Sequence, residues 1–168
     1  NLVNEFSNFA RMPRPIFKKV NIVDVINRSV DFVKMSSKNK IDVNGNHKKL
    51  IINGDVEQLN RVFINLIKNS EEAFLDLVKK TPNFKGKIDI EIISNNDYIV
   101  VRLTDNGTGI SDTKKVMTPY FTTKTKGTGL GLPIVSKIIN EHSGDFLIKN
   151  KKDGNGVHIE ISFPKINA

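Results

Sequence analysis

The chain has 168 residues, 38% of them hydrophobic and none of them cysteine, so it can bury one proper core but cannot form a disulfide or a thiolate metal site. Against 18 acidic residues stand 26 basic ones, a formal charge of +8, yet the lysines are scattered in ones and twos. Without an aromatic-interleaved strip or a basic amphipathic helix, that charge points away from nucleic acid and membrane surfaces as partners. No apolar run approaches the roughly 20 residues of a membrane-spanning helix, and no secretory leader is visible.

Leu2, Val3, Phe6, Phe9 and Met12 recur at helical spacing, and Pro13 and Pro15 end that helix. The stretch reads as a tail joined to a missing part, and the opening in mid-element as a piece of a longer protein. Asn21 with Asp24 three residues on opens a helix whose face is Ile22, Val25, Ile26, Ser29 and Val33, running to about residue 37. Two short strands are expected around 41–43 and 50–53. Asp55 caps the next helix, Gln58 takes the capping-box position, and Leu59, Val62, Phe63, Leu66, Ala73, Phe74 and Leu77 carry its apolar face to about Lys80.

Alternation through Ile88, Ile90 and Ile92, then through Tyr98 and Val100 or Ile99, Val101 and Leu103, predicts a hairpin with Ser94-Asn95-Asn96-Asp97 as its turn. Residues 105–131 carry many glycines and threonines with little periodicity, a long loop region. A helix resumes near Leu130, with Pro133 in its first turn and Gly144 as its C-terminal stop. Strands over 145–149 and 157–163, joined through Asp153-Gly154-Asn155-Gly156, complete the set. Helices mixed with antiparallel strand pairs favour an α+β class: a two-layer α/β sandwich with a mixed, mostly antiparallel sheet and helices on one face.

The chemistry concentrates in four places. Asn69 follows Leu66 by three residues and Val62 by seven, so it projects from the apolar face of its helix, where an unpaired amide is costly. A core asparagine bonded to backbone and an amide oxygen offered to Mg²⁺ both answer that pattern. Asn65, one turn earlier, adds a second polar group at the same mouth. In Asp105-Asn106-Gly107-Thr108-Gly109-Ile110 two glycines allow close backbone approach to a ligand, and the carboxylate accepts from a donor such as an exocyclic amine; an ordinary Asp-Asn-Gly turn is equally available.

Gly127-Thr128-Gly129-Leu130-Gly131-Leu132 passes straight into a helix, and its free N–H groups and the helix dipole suit phosphates. It is neither a Walker loop nor a G-x-G-x-x-G fingerprint. Between the two glycine loops, Pro119-Tyr120-Phe121-Thr122-Thr123-Lys124 offers a lysine to complement phosphate charge and an aromatic to anchor a lid; an exposed loop with a solvated lysine is the plain alternative.

In this order and spacing the four pieces resemble the Bergerat-type ATP-binding fold shared by gyrase, Hsp90, histidine kinases and MutL, over roughly residues 16–165. Asn65-Leu66-Ile67-Lys68-Asn69-Ser70-Glu71-Glu72-Ala73 is similar to the histidine-kinase N box, Asp105 to Ile110 to the G1 box, Phe121 to Lys124 to the F box, and Gly127 to Leu132 to the G2 box. In the gyrase, Hsp90 and MutL branch a glutamate acts as general base one turn before the metal-binding asparagine. Asn65 holds that place here and cannot take a proton at neutral pH.

The N box and the Tyr-Phe-Thr-Thr-Lys lid look most like those of NtrY-type nitrogen-regulation sensor kinases. By that likeness residues 1–15 are the end of a dimerisation helix with its linker, and residues 16–168 are the ATP-binding catalytic domain.

The resemblance implies ATP and Mg²⁺ as cofactors. Asn69 would ligate Mg²⁺ with Asn65 beside it, Asp105 would read the adenine amino group, and Gly107, Gly109 and Ile110 would line the base. Lys124, Gly127, Thr128, Gly129, Leu130, Gly131 and Leu132 would meet the phosphates, with Phe121 and Thr123 in the lid. Asn65, Asn69 and Lys124 are the residues carried over as catalytic. Two positions depart from the pattern: Glu72 stands where many kinases have lysine, and Val157 where serine or threonine often follows the last glycine.

None of His47, His142 and His158 lies in a phosphoacceptor box, so structural or surface roles are expected for them and the acceptor lies outside the chain. The implied partners are the protein's own histidine-bearing dimerisation domain and a response-regulator receiver domain. The fragment is expected to be monomeric, and the whole protein a dimer whose cytoplasmic part this is. Rival readings are a hydrolytic ATPase of gyrase or MutL type and a degenerate nucleotide-sensing module.

Overall fold

A computed structural model describes residues 12–45, 48–110 and 131–166. The helix expected over 2–12, apart from Met12, lies outside the described residues, as do His47, Phe121, Thr123, Lys124 and the Gly127 to Leu130 part of the second glycine loop.

The described elements run β1 (Lys18–Asn21), α1 (Ile22–Lys34), β2 (Lys40–Asn44), β3 (Ile51–Gly54), α2 (Val56–Lys80), β4 (Lys87–Ser94), β5 (Tyr98–Asp105), α3 (Gly131–Glu141), β6 (Asp145–Asn150) and β7 (Val157–Pro164). Strand β1 was not expected from the sequence. Its Lys-Lys-Val-Asn has no alternation of its own and is strand only because it pairs antiparallel with β3, Val20 opposite Ile52.

The main sheet has the order β2-β4-β5-β7-β6. β2 lies parallel to β4, and the other neighbours are antiparallel, which is the mixed sheet expected. Ile88, Ile90 and Ile92 of β4, Ile99, Val101 and Leu103 of β5, and Ile159, Ile161 and Phe163 of β7 join the helices in one core. Their alternating neighbours on the opposite face include Asp89, Glu91, Arg102 and Glu160, and Arg102 there lies 3.3 Å from both Glu91 and Glu160. The period of two therefore separates a helix-covered face from a polar one.

Helix α1 begins at the expected cap. The Asn21 Oδ1 accepts from Val23 N (3.2 Å) and also from Leu50 N (3.1 Å), so one amide starts the helix and stitches it to the approach of β3. The helix stops at Lys34, three residues short of expectation, where the Ser36 and Ser37 amides turn back to Val33 O.

Helix α2 has its expected bounds. Asp55 Oδ1 accepts from Gln58 N (3.1 Å), but Gln58 does not complete a capping box; its amide donates to Pro13 O (3.0 Å), while Asp55 Oδ2 accepts from Ile16 N (2.8 Å). The incoming chain thus takes the place of the reciprocal cap.

Helix α3 ends differently from expectation. The left-handed residue is Ser143, with φ 58°, and not Gly144. Glycine is required at 144 by proximity: a Cβ there would stand 2.5 Å from Ser162 O of β7. His142, just before, is buried; its Nε2 accepts from Asp55 N (3.0 Å) and its Nδ1 lies 2.7 Å from Ile138 O. Those partners select the neutral Nδ1–H tautomer. The ring of Phe17 meets it edge-on at 5.0 Å. Burial pushes its pKa below the ordinary 6.5, against smaller raising effects of the Ile138 carbonyl, Asp55 and Glu141.

Candidate functional site

Strand β5 ends at Asp105, and the chain leaves the sheet through Asn106 to Ile110. By alternation Asp105 falls on the helix-covered face, where its carboxylate is only 6% exposed. Burying an ionised carboxylate needs donors. Asp105 Oδ1 accepts from Gly107 N and Val157 N, both at 3.0 Å, and Oδ2 accepts from the Ser70 hydroxyl at 2.6 Å. The loop itself, the start of β7 and the middle of α2 therefore converge on one side chain.

Val157 supplies its donor from the backbone, so the lack of a side-chain hydroxyl there costs Asp105 nothing. Gly156 makes the approach possible. Its φ is +123°, and a Cβ on it would stand 2.0 Å from Asp105 O. Gly107 packs against α2, where an added Cβ would lie 3.1 Å from the Ala73 Cβ.

Two asparagines fasten the loop that follows. Asn106 Oδ1 accepts from Lys87 N (2.7 Å) and its amide donates to Lys85 O (3.0 Å). Asn150, at the end of β6, accepts from Ile110 N (2.7 Å) and donates to Ile110 O (2.6 Å), mimicking a strand partner for that residue. Gly109 adopts φ +79° between these anchors.

Asn65 and Asn69 both lie half-buried on α2, one turn apart. The fully buried polar residue of this helix segment is Ser70, next to Asn69. Its bond to Asp105 ties the G1-like loop to the turn that carries Asn69. Glu71 faces away from that bond, with Ser37 and Asn39 both donating to its carboxylate, and Glu72 is exposed. Leu132 and Ile110 are partly buried against the core, and Gly131 opens α3 with nothing within 4 Å of its Cβ position.

The Ser70–Asp105 bond joins two pieces of the expected site, the helix of Asn65 and Asn69 and the loop of Gly107, Gly109 and Ile110, while Gly131 and Leu132 stand at the start of α3. Phe121, Thr123, Lys124, Gly127, Thr128, Gly129 and Leu130 lie outside the described residues. The sequence reading gave no site role to Ser70, Asn106, Asn150, Gly156 or the Val157 amide. Ser70 carried a usable signal, since it falls four after Leu66, seven after Phe63 and four before Phe74, a hydroxyl in an apolar stripe.

Residues 54–167 match the family model described as histidine kinase-, DNA gyrase B- and HSP90-like ATPase. An NtrY-like protein of Rickettsia prowazekii (strain Madrid E) is 36% identical over 166 residues, covering 97% of this chain and 26% of that protein. The nitrogen regulation protein NtrY of Azorhizobium caulinodans is 29% identical over 163 residues, 96% of this chain and 21% of that protein. The chain thus spans about a quarter of the length of these relatives.

Among solved structures, the nucleotide-free catalytic domain of histidine kinase ThkA matches with a TM-score of 0.72 at 28% identity, covering 89% of this chain and 98% of that one. The carboxylate at the end of β5, the asparagine-bearing helix behind it and these likenesses agree: the chain belongs to the histidine kinase-, DNA gyrase B- and HSP90-like ATPase family, as an ATP-binding catalytic domain of the histidine-kinase type.

Proposed function

We propose that this chain holds MgATP and presents its γ-phosphate to a histidine on a separate helical dimerisation domain of an NtrY-like nitrogen-regulation kinase, from which a response-regulator aspartate receives it. The observation that carries this reading is Asp105: a buried carboxylate fixed by Ser70, Gly107 and Val157, beside the helix of Asn65 and Asn69. It suits the exocyclic amine of adenine, and glycine at 107 keeps the backbone beside it slim enough for a flat ring.

Mg²⁺ suits the same site. The side-chain amide of Asn69, half-buried on α2, is a hard oxygen ligand of the kind Mg²⁺ takes, with phosphate oxygens and water to complete the shell. Bound ATP supplies the electrophilic phosphoryl group. Asp105 orients the base, Asn69 helps neutralise the phosphates, and Lys124 with the Gly127 to Leu132 loop is assigned to the phosphate chain, so the protein positions and screens charge. Asn65 has no basicity to activate water, which favours transfer over hydrolysis. By likeness to the NtrY-like sensor kinases, we assign this part of the kinase to the cytoplasm.

The test is to mix the chain with a separately made histidine-bearing helical domain and γ-labelled ATP. Label on that histidine is the expected result. Label released only as phosphate, at a rate lost in Asn65→Ala, would instead establish the hydrolytic reading.

A further inference from the structure

Among the described residues two buried serines lie on helices, Ser29 and Ser70, and they differ in the acceptors they meet. Ser29 of α1 lies 2.9 Å from Val25 O, the carbonyl one turn back, and 3.2 Å from the neutral amide oxygen of Asn60 on α2. Ser70 of α2, 3% exposed, donates across to Asp105 Oδ2 at 2.6 Å. A carboxylate is acceptor-only, so the direction of this bond is fixed.

The terminal torsion of an aspartate is soft and roughly two-fold. Two backbone amides on Oδ1 hold that oxygen, and the Ser70 bond to Oδ2 adds the constraint that sets the plane of the group. An ionised carboxylate offers about four acceptor positions. Among the described residues the chain's own donors take three of them, two on Oδ1 and one on Oδ2.

We propose that Ser70 is a positioning residue for base recognition: its hydroxyl turns Asp105 so that the remaining acceptor of Oδ2 meets the exocyclic amine of a purine, making the site selective for 6-amino over 6-oxo purines. The assignment rests on Asp105 being the adenine-reading carboxylate. Ser70 adjoins Asn69, so the bond also couples the base-reading group to the turn of α2 assigned to the metal.

The experiment compares MgATP with MgITP, which carries an oxygen where ATP has the amine, by calorimetric titration of the whole chain. Wild type is expected to prefer ATP by at least about tenfold, the worth of a charge-assisted hydrogen bond. Ser70→Ala should lose about fivefold or more in ATP affinity and less than twofold in ITP affinity, Ser70→Thr should restore the preference, and Ser70→Ala added to Asp105→Asn should have no further effect.

Equal losses for both nucleotides in Ser70→Ala would reduce Ser70 to a packing role and overturn the proposal, as would an unchanged ATP affinity. Equal binding of ATP and ITP by wild type would overturn the assignment of Asp105 itself. The two failures are therefore distinguishable.

Discussion

Asp105 and His142 are two buried polar side chains set against the same long helix, one beside its middle and the other at its N-terminus. Both are almost wholly out of solvent, at 6% and 5% exposure. His142 has spent its capacity: Nδ1–H goes to Ile138 O, Nε2 takes the Asp55 amide, and Phe17 and Phe163 meet its ring. A neutral imidazole has one donor and one acceptor, and the fold uses both. Among the described residues Asp105 takes three donors from the chain, of the about four that a carboxylate can accept. Burial alone does not separate a binding group from a structural bolt. Hydrogen-bonding capacity beyond what the fold consumes does.

The largest expected effect breaks the Asp105 side at its backbone. Gly156→Ala would set a Cβ 2.0 Å from Asp105 O at φ +123°. Overpacking against main chain with backbone strain should cost on the order of 3 kcal/mol or more, read as a large drop in the denaturant midpoint together with loss of nucleotide binding. A variant of wild-type stability would show that the β7 start does not press on this loop.

Next, Asp105→Ala removes the acceptor and leaves the backbone. Affinity for ATP should fall by about tenfold or more, corresponding to roughly 1.5–3 kcal/mol for a hydrogen bond to a charged group. Unchanged affinity in a folded variant would reverse the contrast with His142.

The smallest effect belongs to His142 and should appear in stability with no change in nucleotide affinity at neutral pH. Burial lowers its pKa below 6.5 in the folded chain, so just below pH 6.5 the unfolded chain binds more protons than the folded one. Its contribution is therefore present above pH 6.5, is lost progressively as the pH falls below that value, and levels off under the folded-state pKa. Chemical denaturation of wild type and His142→Gln at pH 7.5 and 5.5 checks this: the variant should show the weaker acid dependence.

Elements whose signal is local were legible in the sequence. Helix α2 could be read from Asp55 to about Lys80 because its cap and its apolar repeat lie within it, and β4 and β5 could be read from alternation. The buried arc of α2 was misjudged by one position. It is packed by α1 and α3 as well as the core, and runs through Leu59, Val62, Phe63, Leu66, Ile67, Ser70 and Phe74, which leaves Asn69 at its half-buried edge. Gln58 and Gly144 show the same limit, because a capping residue cannot announce that Pro13 or Ser162 will reach it first.

The sequence by itself determined the class of fold, the order of the nucleotide motifs, and the absence of a catalytic carboxylate at Asn65, since each depends on residue type and short-range spacing. Tertiary structure alone decided how Asp105 is held: Ser70 lies 35 residues before it and Val157 52 residues after it. It also decided that β1 is a strand and that His142 is spent. Hydrogen bonds and close approaches between distant segments have no local periodicity to betray them, and they form only once the sheet and helix α2 have brought those segments together.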